Sequence, residues 1–124
     1  MLEVRDSRKE NGGRGVFTTK ALKAHTVIET APVLVFSEEE GRKLIQTKLV
    51  NYVFQWGDNK QMAIALGNIS LYNHDYDANC EYCMDYENET MSVTTVRKVN
   101  VGDELFVNYN GNYNNKKAVW FTAN

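Results

Sequence analysis

The run Leu71-Tyr72-Asn73-His74-Asp75-Tyr76-Asp77-Ala78-Asn79-Cys80 gathers side chains that could do chemistry. Asn73 can donate and accept hydrogen bonds at once, as recognition of an amino-acid headgroup requires. His74 is of the type that titrates near neutral pH and could act as a general base. Asp75 and Asp77 flank it and Cys80 is near, so a hydrolytic triad is one arrangement to weigh. No nucleophile-elbow pattern is present, and a histidine that braces its own loop is the plainer alternative. Cys80-x-x-Cys83 has the spacing of a zinc half-site, but residues three apart on a strand face opposite sides. Only His25 and His74 could add nitrogen ligands, and two small apolar strand residues account better for the pair. The expectation is no metal, a cofactor held by this loop, and a tyrosine near the C-terminus completing the site.

Elements on either side must hold such a loop. Apolar runs at 62–66 and 80–86 bracket it, and a polar loop between strands is a common place for a site. Further strands are predicted at 2–4, 16–18, 27–30, 33–36, 52–56 and 105–107, with 80–86 and 90–96 forming a hairpin around Glu87-Asn88-Glu89. Asn11-Gly12-Gly13-Arg14-Gly15 reads as a flexible turn that lets backbone approach a ligand closely. It is not a dinucleotide fingerprint, because no helix pattern follows. Pro32 divides 27–30 from 33–36, which suits an edge or a bend. Ser37 with Glu40 makes a capping box, and Glu38 and Glu39 suit a helix's first turn. The spacing predicts one helix running to about Leu49, with Leu44, Ile45 and Leu49 inward. Many short strands with frequent turns argue for a mostly-β domain.

Composition narrows the class of function. The 124 residues are 43% hydrophobic and 24% charged, as in a globular chain of one domain, 1–124. A net charge of -2 and a pI near 5.7 argue against a direct nucleic-acid partner. No apolar run approaches a membrane span. Two cysteines and no leader pattern point to an intracellular, reducing setting.

In order and together, four segments resemble the SET domain of protein-lysine N-methyltransferases. Gly13-Arg14-Gly15-Val16-Phe17 is similar to the family's G-x-G-[VIL]-F, and Tyr52-Val53-Phe54 to its central tyrosine-bearing strand. Asn73-His74-Asp75-Tyr76-Asp77-Ala78-Asn79-Cys80 is similar to N-H-S-x-x-P-N-[AC]. Gly102-Asp103-Glu104-Leu105-Phe106-Val107-Asn108-Tyr109 is similar to G-E-E-L-x-x-x-Y. The resemblance implies a β-clip fold, in which several small sheets surround a C-terminal pseudoknot with one short helix. It implies S-adenosylmethionine as cofactor, bound by backbone at Gly13, Arg14, Gly15 and Val16 and by Asn73 and His74. Tyr109 would be catalytic and would also touch the cofactor, with Trp120 over the adenine. Tyr52, Val107 and Tyr113 would face the substrate lysine.

The departures from the pattern are informative. Asp75 stands for the usual Ser and Ala78 for the usual Pro, which suggests a less rigid loop. Flanking zinc segments are absent, so residues 113–121 or the second subunit of a homodimer must cover the substrate side. Val107 is smaller than the Phe or Tyr of some members, which implies that multiple methylation is allowed. The implied partner is a basic, lysine-containing protein segment. The chain resembles stand-alone viral and bacterial members, which places it in the cytoplasm or a host nucleus. The alternative is a catalytically weak module that keeps the fold and binds a peptide.

Overall fold

A computed structural model describes residues 1–10 and 12–109; Tyr113 and Trp120 lie outside them. Two sheets make up the described chain. The smaller contains β1 (Leu2–Asp6), β2 (Arg14–Thr18), β9 (Glu104–Val107) and β6 (Asn73–His74), in that spatial order. The larger has β4 (Val53–Trp56), β5 (Gln61–Ala65), β3 (Val27–Phe36), β8 (Thr90–Thr95) and β7 (Cys80–Asp85) side by side. Pairing is antiparallel everywhere except between β6 and β9, where Asn73 stands opposite Phe106 and His74 opposite Val107. Val16, Val33, Ile69, Val93, Leu105 and Val107 belong to one buried cluster lying between the sheets. The mostly-β expectation and the 80–96 hairpin are met.

Pro32 does not divide two strands: 27–36 is one strand in the middle of the larger sheet. It sits where that strand changes partner. Residues 33–36 pair with β5, and 27–32 pair with β8. The Pro32 carbonyl accepts from Leu66 N at 3.0 Å, just past the end of β5. A residue without an N–H is tolerated there because the ladder on that side has run out.

The helix is also shorter than its sequence pattern predicts. Its start is as expected, with Glu40 N donating to Ser37 Oγ and Ser37 N to Glu40 Oε1. It then ends at Leu44. Thr47 Oγ1 donates to the Leu44 carbonyl and accepts from Leu49 N, closing one turn and opening a separate 3-10 turn, Lys48–Asn51. Leu44 is half-buried, whereas Ile45 and Leu49 are exposed at 42% and 37%, not inward. The inward helical residue is Gly41, where a Cβ would come within 3.2 Å of Met62. Its bare backbone lets the helix lie close against β5.

The site loop is fastened by Asn79, which is 7% exposed. Its Nδ2 donates to the Glu104 carbonyl at 2.9 Å, and its Oδ1 accepts from Phe106 N at 2.8 Å. One side chain thus serves as an extra rung on β9. Asn79→Ala would orphan a buried carbonyl and a buried N–H, at a cost of about 2–4 kcal/mol in total. Urea denaturation should show that loss; an unfolding midpoint equal to wild type would mean β9 holds its place without Asn79.

Candidate active site

Glu104, at the start of β9, organises one side of the site. It is 4% exposed, and three donors converge on its carboxylate. Ser7 Oγ donates to Oε2 at 2.6 Å, Arg8 N to Oε1 at 2.9 Å, and Asn73 Nδ2 to Oε2 at 3.2 Å. Three donors satisfy both oxygens of this covered carboxylate, so the buried polar group is not left unpaired. The same Asn73 amide donates to the Arg14 carbonyl at 3.0 Å. Glu104 and Asn73 therefore tie the β1–β2 loop to the β6–β9 ladder. Gly15 lies where they meet, and any side chain there would collide with the Glu104 carboxylate and the Asn73 amide. Gly13 turns the chain at φ 60, and a Cβ there would meet nothing within 4 Å.

Asp75 takes part in the same tether. Its carboxylate lies 2.9 Å from Lys9 Nζ, with both side chains largely covered, and its Oδ1 accepts from Asp77 N at 2.8 Å. Asp75 N donates to the Val107 carbonyl at 3.1 Å. The replacement of Ser by Asp, expected to loosen the loop, instead supplies an ion pair to the β1–β2 loop.

His74 and Tyr109 meet on the other side of the ladder. Tyr109 N donates to His74 Nδ1 at 3.0 Å, and the two rings lie 5.2 Å apart. An accepting Nδ1 places the proton of a neutral imidazole on Nε2. Burial lowers the His74 pKa and Lys9 adds to this, against an opposing pull from Asp75. His74 is thus a neutral brace for the Tyr109 backbone, the plainer of its two sequence readings. The Tyr109 hydroxyl donates to the Tyr72 carbonyl at 2.8 Å. Burial, with Tyr82 and Tyr52 adding to it, raises its pKa, so the phenol stays protonated and can orient a ligand without acting as a base.

Beyond Tyr109 opens a cavity of about 570 Å³, walled by Tyr52, Phe54, Tyr72, Tyr82, Tyr86 and Tyr109. The Tyr82 hydroxyl donates to the Tyr109 carbonyl at 3.3 Å, and its pKa is pushed up to about 12 by burial. The Phe54 and Tyr82 rings pack edge to face at 5.3 Å. Tyr52 and Tyr109, far apart in sequence, share this cavity, while Val107 is buried in the core at the β6–β9 pairing. Val16 is likewise a core residue of β2. Cys80 is buried and its thiol is pushed up to about 12 by burial, so it is no nucleophile near neutral pH. Cys83 is exposed, and among the described residues no cluster of His, Cys, Asp and Glu could hold a metal.

Residues 13–110 match the SET domain. The chain belongs to the SET-domain family. A Schizosaccharomyces pombe relative, a histone-lysine N-methyltransferase specific for H3 lysine-37, is 38% identical over 109 residues, covering 87% of this chain and 72% of the relative. A Plasmodium falciparum structure named as a candidate histone methyltransferase is 25% identical with a TM-score of 0.69, covering 88% of this chain and 96% of that one. The fold is shared with a Chaetomium thermophilum Polycomb Repressive Complex 2 structure in an autoinhibited state bound to S-adenosylmethionine. That likeness has a TM-score of 0.75 at 24% identity and covers 92% of this chain but 16% of that one. This SET domain is a protein-lysine N-methyltransferase whose methyl donor is S-adenosylmethionine.

The residues present fit that donor. Open space lies against the Gly13 backbone, and the polar groups of Asn73, Lys9 and Asp75 suit an amino-acid headgroup. Glu104 and Asn79 were the residues that motif reasoning passed over. Glu104 stands within the SET motif as one acid among many. Asn79 stood out in sequence only as a second Asn near the Asn73-His74 pair.

His74 makes the site sensitive to pH. Its folded pKa is lowered, so as pH falls below the ordinary histidine value of about 6.5 the unfolded chain takes up a proton first. Its contribution to stability is complete above that value and declines below it. Thermal melts between pH 7 and pH 5 should show a fall in stability that is shallower in His74→Gln; identical slopes would contradict the neutral brace.

Proposed function

We propose that the cofactor lies on the β1–β2 loop side of Tyr109 and the substrate lysine enters through the aromatic cavity. Backbone of Gly13, Arg14, Gly15 and Val16, with Asn73 and His74, would hold S-adenosylmethionine, and Trp120 would add an aromatic surface. Tyr52 and Tyr109 would wall the lysine with Tyr113 beside them, and the small Val107, held in the core, would add no bulk there. The observation that carries this reading is the double attachment of Tyr109. Its backbone is bonded to His74 on the loop side, and its ring lines the cavity.

The chemistry follows from these positions. The bound sulfonium would supply an electrophilic methyl group and a positive charge that disfavours a second cation nearby. The lysine must arrive neutral although its ordinary pKa is about 10.4. Aromatic walls would strip water from the ammonium and favour the free amine. The Tyr109 hydroxyl donates a hydrogen bond to the Tyr72 carbonyl. Its oxygen would accept from the amine and hold it in line. Positioning of this kind is the main lever for a direct displacement.

The substrate would be a basic, lysine-bearing protein segment of histone type, as the name of the fission-yeast relative suggests. The 124 residues would act as one SET domain inside the cell. Tyr109→Phe should lower kcat by about 100-fold or more with cofactor affinity changed only a few-fold, measured by label transfer and calorimetry. Equal loss of both would place Tyr109 in cofactor binding alone. Val107 should permit more than one transfer. Mass spectrometry under excess cofactor should find di- or trimethyl-lysine, and a product series that stops at monomethyl-lysine would contradict this.

A further inference from the structure

The 3-10 turn Ile69–Leu71, just before Asn73, is held at both ends by one carboxylate from the opposite side of the fold. Glu29, on β3, accepts from Asn68 N at 2.7 Å through Oε2 and from the Tyr72 hydroxyl at 3.0 Å through Oε1. Gly67 turns the chain there at φ 66, and a Cβ at that position would lie 2.6 Å from Glu29 Oε2. The carboxylate is therefore pressed against the turn, and only glycine leaves room for it. Tyr72 is buried, and burial together with the charge of Glu29 raises its pKa, so its hydroxyl remains a donor to the carboxylate.

Two groups of the clamped turn reach the walls of the aromatic cavity. Ser70 Oγ donates to the Tyr52 carbonyl at 3.0 Å. The Tyr72 carbonyl accepts the Tyr109 hydroxyl at 2.8 Å. Two of the cavity's tyrosines, Tyr52 and Tyr109, thus hang from a five-residue stretch whose ends are fixed by Glu29. Glu29 itself lines neither the cavity nor the β1–β2 loop site. We propose that Glu29 is a positioning residue for methyl transfer, setting through the 68–72 turn where Tyr52 and the Tyr109 hydroxyl stand.

This rests on the assignment of the cavity to the substrate lysine. A positioning role predicts a split that a merely structural one does not. Displacing Tyr109 should slow the chemical step, whereas the cofactor side, held by Glu104 and Asn73, keeps its geometry. The test uses the full chain, core histones as methyl acceptors, labelled S-adenosylmethionine, and S-adenosylhomocysteine for calorimetry. Glu29→Gln should lower kcat by about tenfold or more while S-adenosylhomocysteine affinity stays within about twofold. Tyr72→Phe, which removes one of the two bonds and is nearly isosteric, should give a smaller fall, and the double variant should be no slower than Glu29→Gln alone. A crystal structure of Glu29→Gln should show the Tyr109 hydroxyl moved off the Tyr72 carbonyl. Wild-type kcat in both single variants would overturn the proposal, as would kcat and cofactor affinity falling together. A wild-type protein that binds S-adenosylhomocysteine but labels no histone would remove the cavity assignment, and this proposal with it. One that labels histones normally, with Glu29→Gln equally active, would remove this proposal alone.

Discussion

A parallel ladder of only two rungs, Asn73 opposite Phe106 and His74 opposite Val107, carries the geometry of the whole site. Two rungs cannot hold themselves together, because the backbone bonds gained hardly offset the entropy of ordering the loops on either side. Side chains reinforce the ladder instead. Asn79 adds bonds to β9, His74 fixes the Tyr109 backbone, and Glu104 draws Ser7, Arg8 and Asn73 onto one charge. The polar residues conspicuous in sequence thus include several that hold β9 and the β6 ladder in place.

Electrostatics on the two sides of Tyr109 differ in kind. The loop side is polar and bonded: Lys9 pairs with Asp75, and Glu104 accepts from Ser7 Oγ, Arg8 N and Asn73 Nδ2. The cavity side is aromatic, and the hydroxyls of Tyr72, Tyr82 and Tyr109 are all held protonated by burial. A zwitterionic cofactor suits the first environment, and an amine that must shed its proton suits the second. Tyr109 is bonded to His74 and lines the cavity, and in the proposed arrangement its phenol would align donor and acceptor.

Much of this was legible from local rules. The capping box at Ser37 and Glu40, the 80–96 hairpin and the glycine turn at 13 each follow from side-chain chemistry within a few residues. What local rules missed depends on distant partners. The continuity of β3 through Pro32 is possible only because β5 ends one residue away, a fact of sheet register. The helix end is a local exception: Thr47 Oγ1 bonds the Leu44 carbonyl three residues back and accepts from Leu49 N, against the apolar spacing of Leu44, Ile45 and Leu49. Motif order identified Asn73, His74 and Tyr109, yet the bond that turns His74 from a candidate base into a brace joins residues 35 positions apart. The ion pair of Asp75 was hidden for the same reason, since its partner Lys9 lies in the loop after β1.

The central claim is that donor and acceptor approach Tyr109 from opposite sides. A crystal structure with S-adenosylhomocysteine and a lysine-containing histone peptide measures this most directly. The account expects the thioether sulfur on the Asn73 and His74 side of the Tyr109 ring, with the lysine amine reaching it through the cavity walled by Tyr52 and Tyr82. Cofactor found inside that cavity, or a lysine arriving from the β1–β2 loop side, would contradict it.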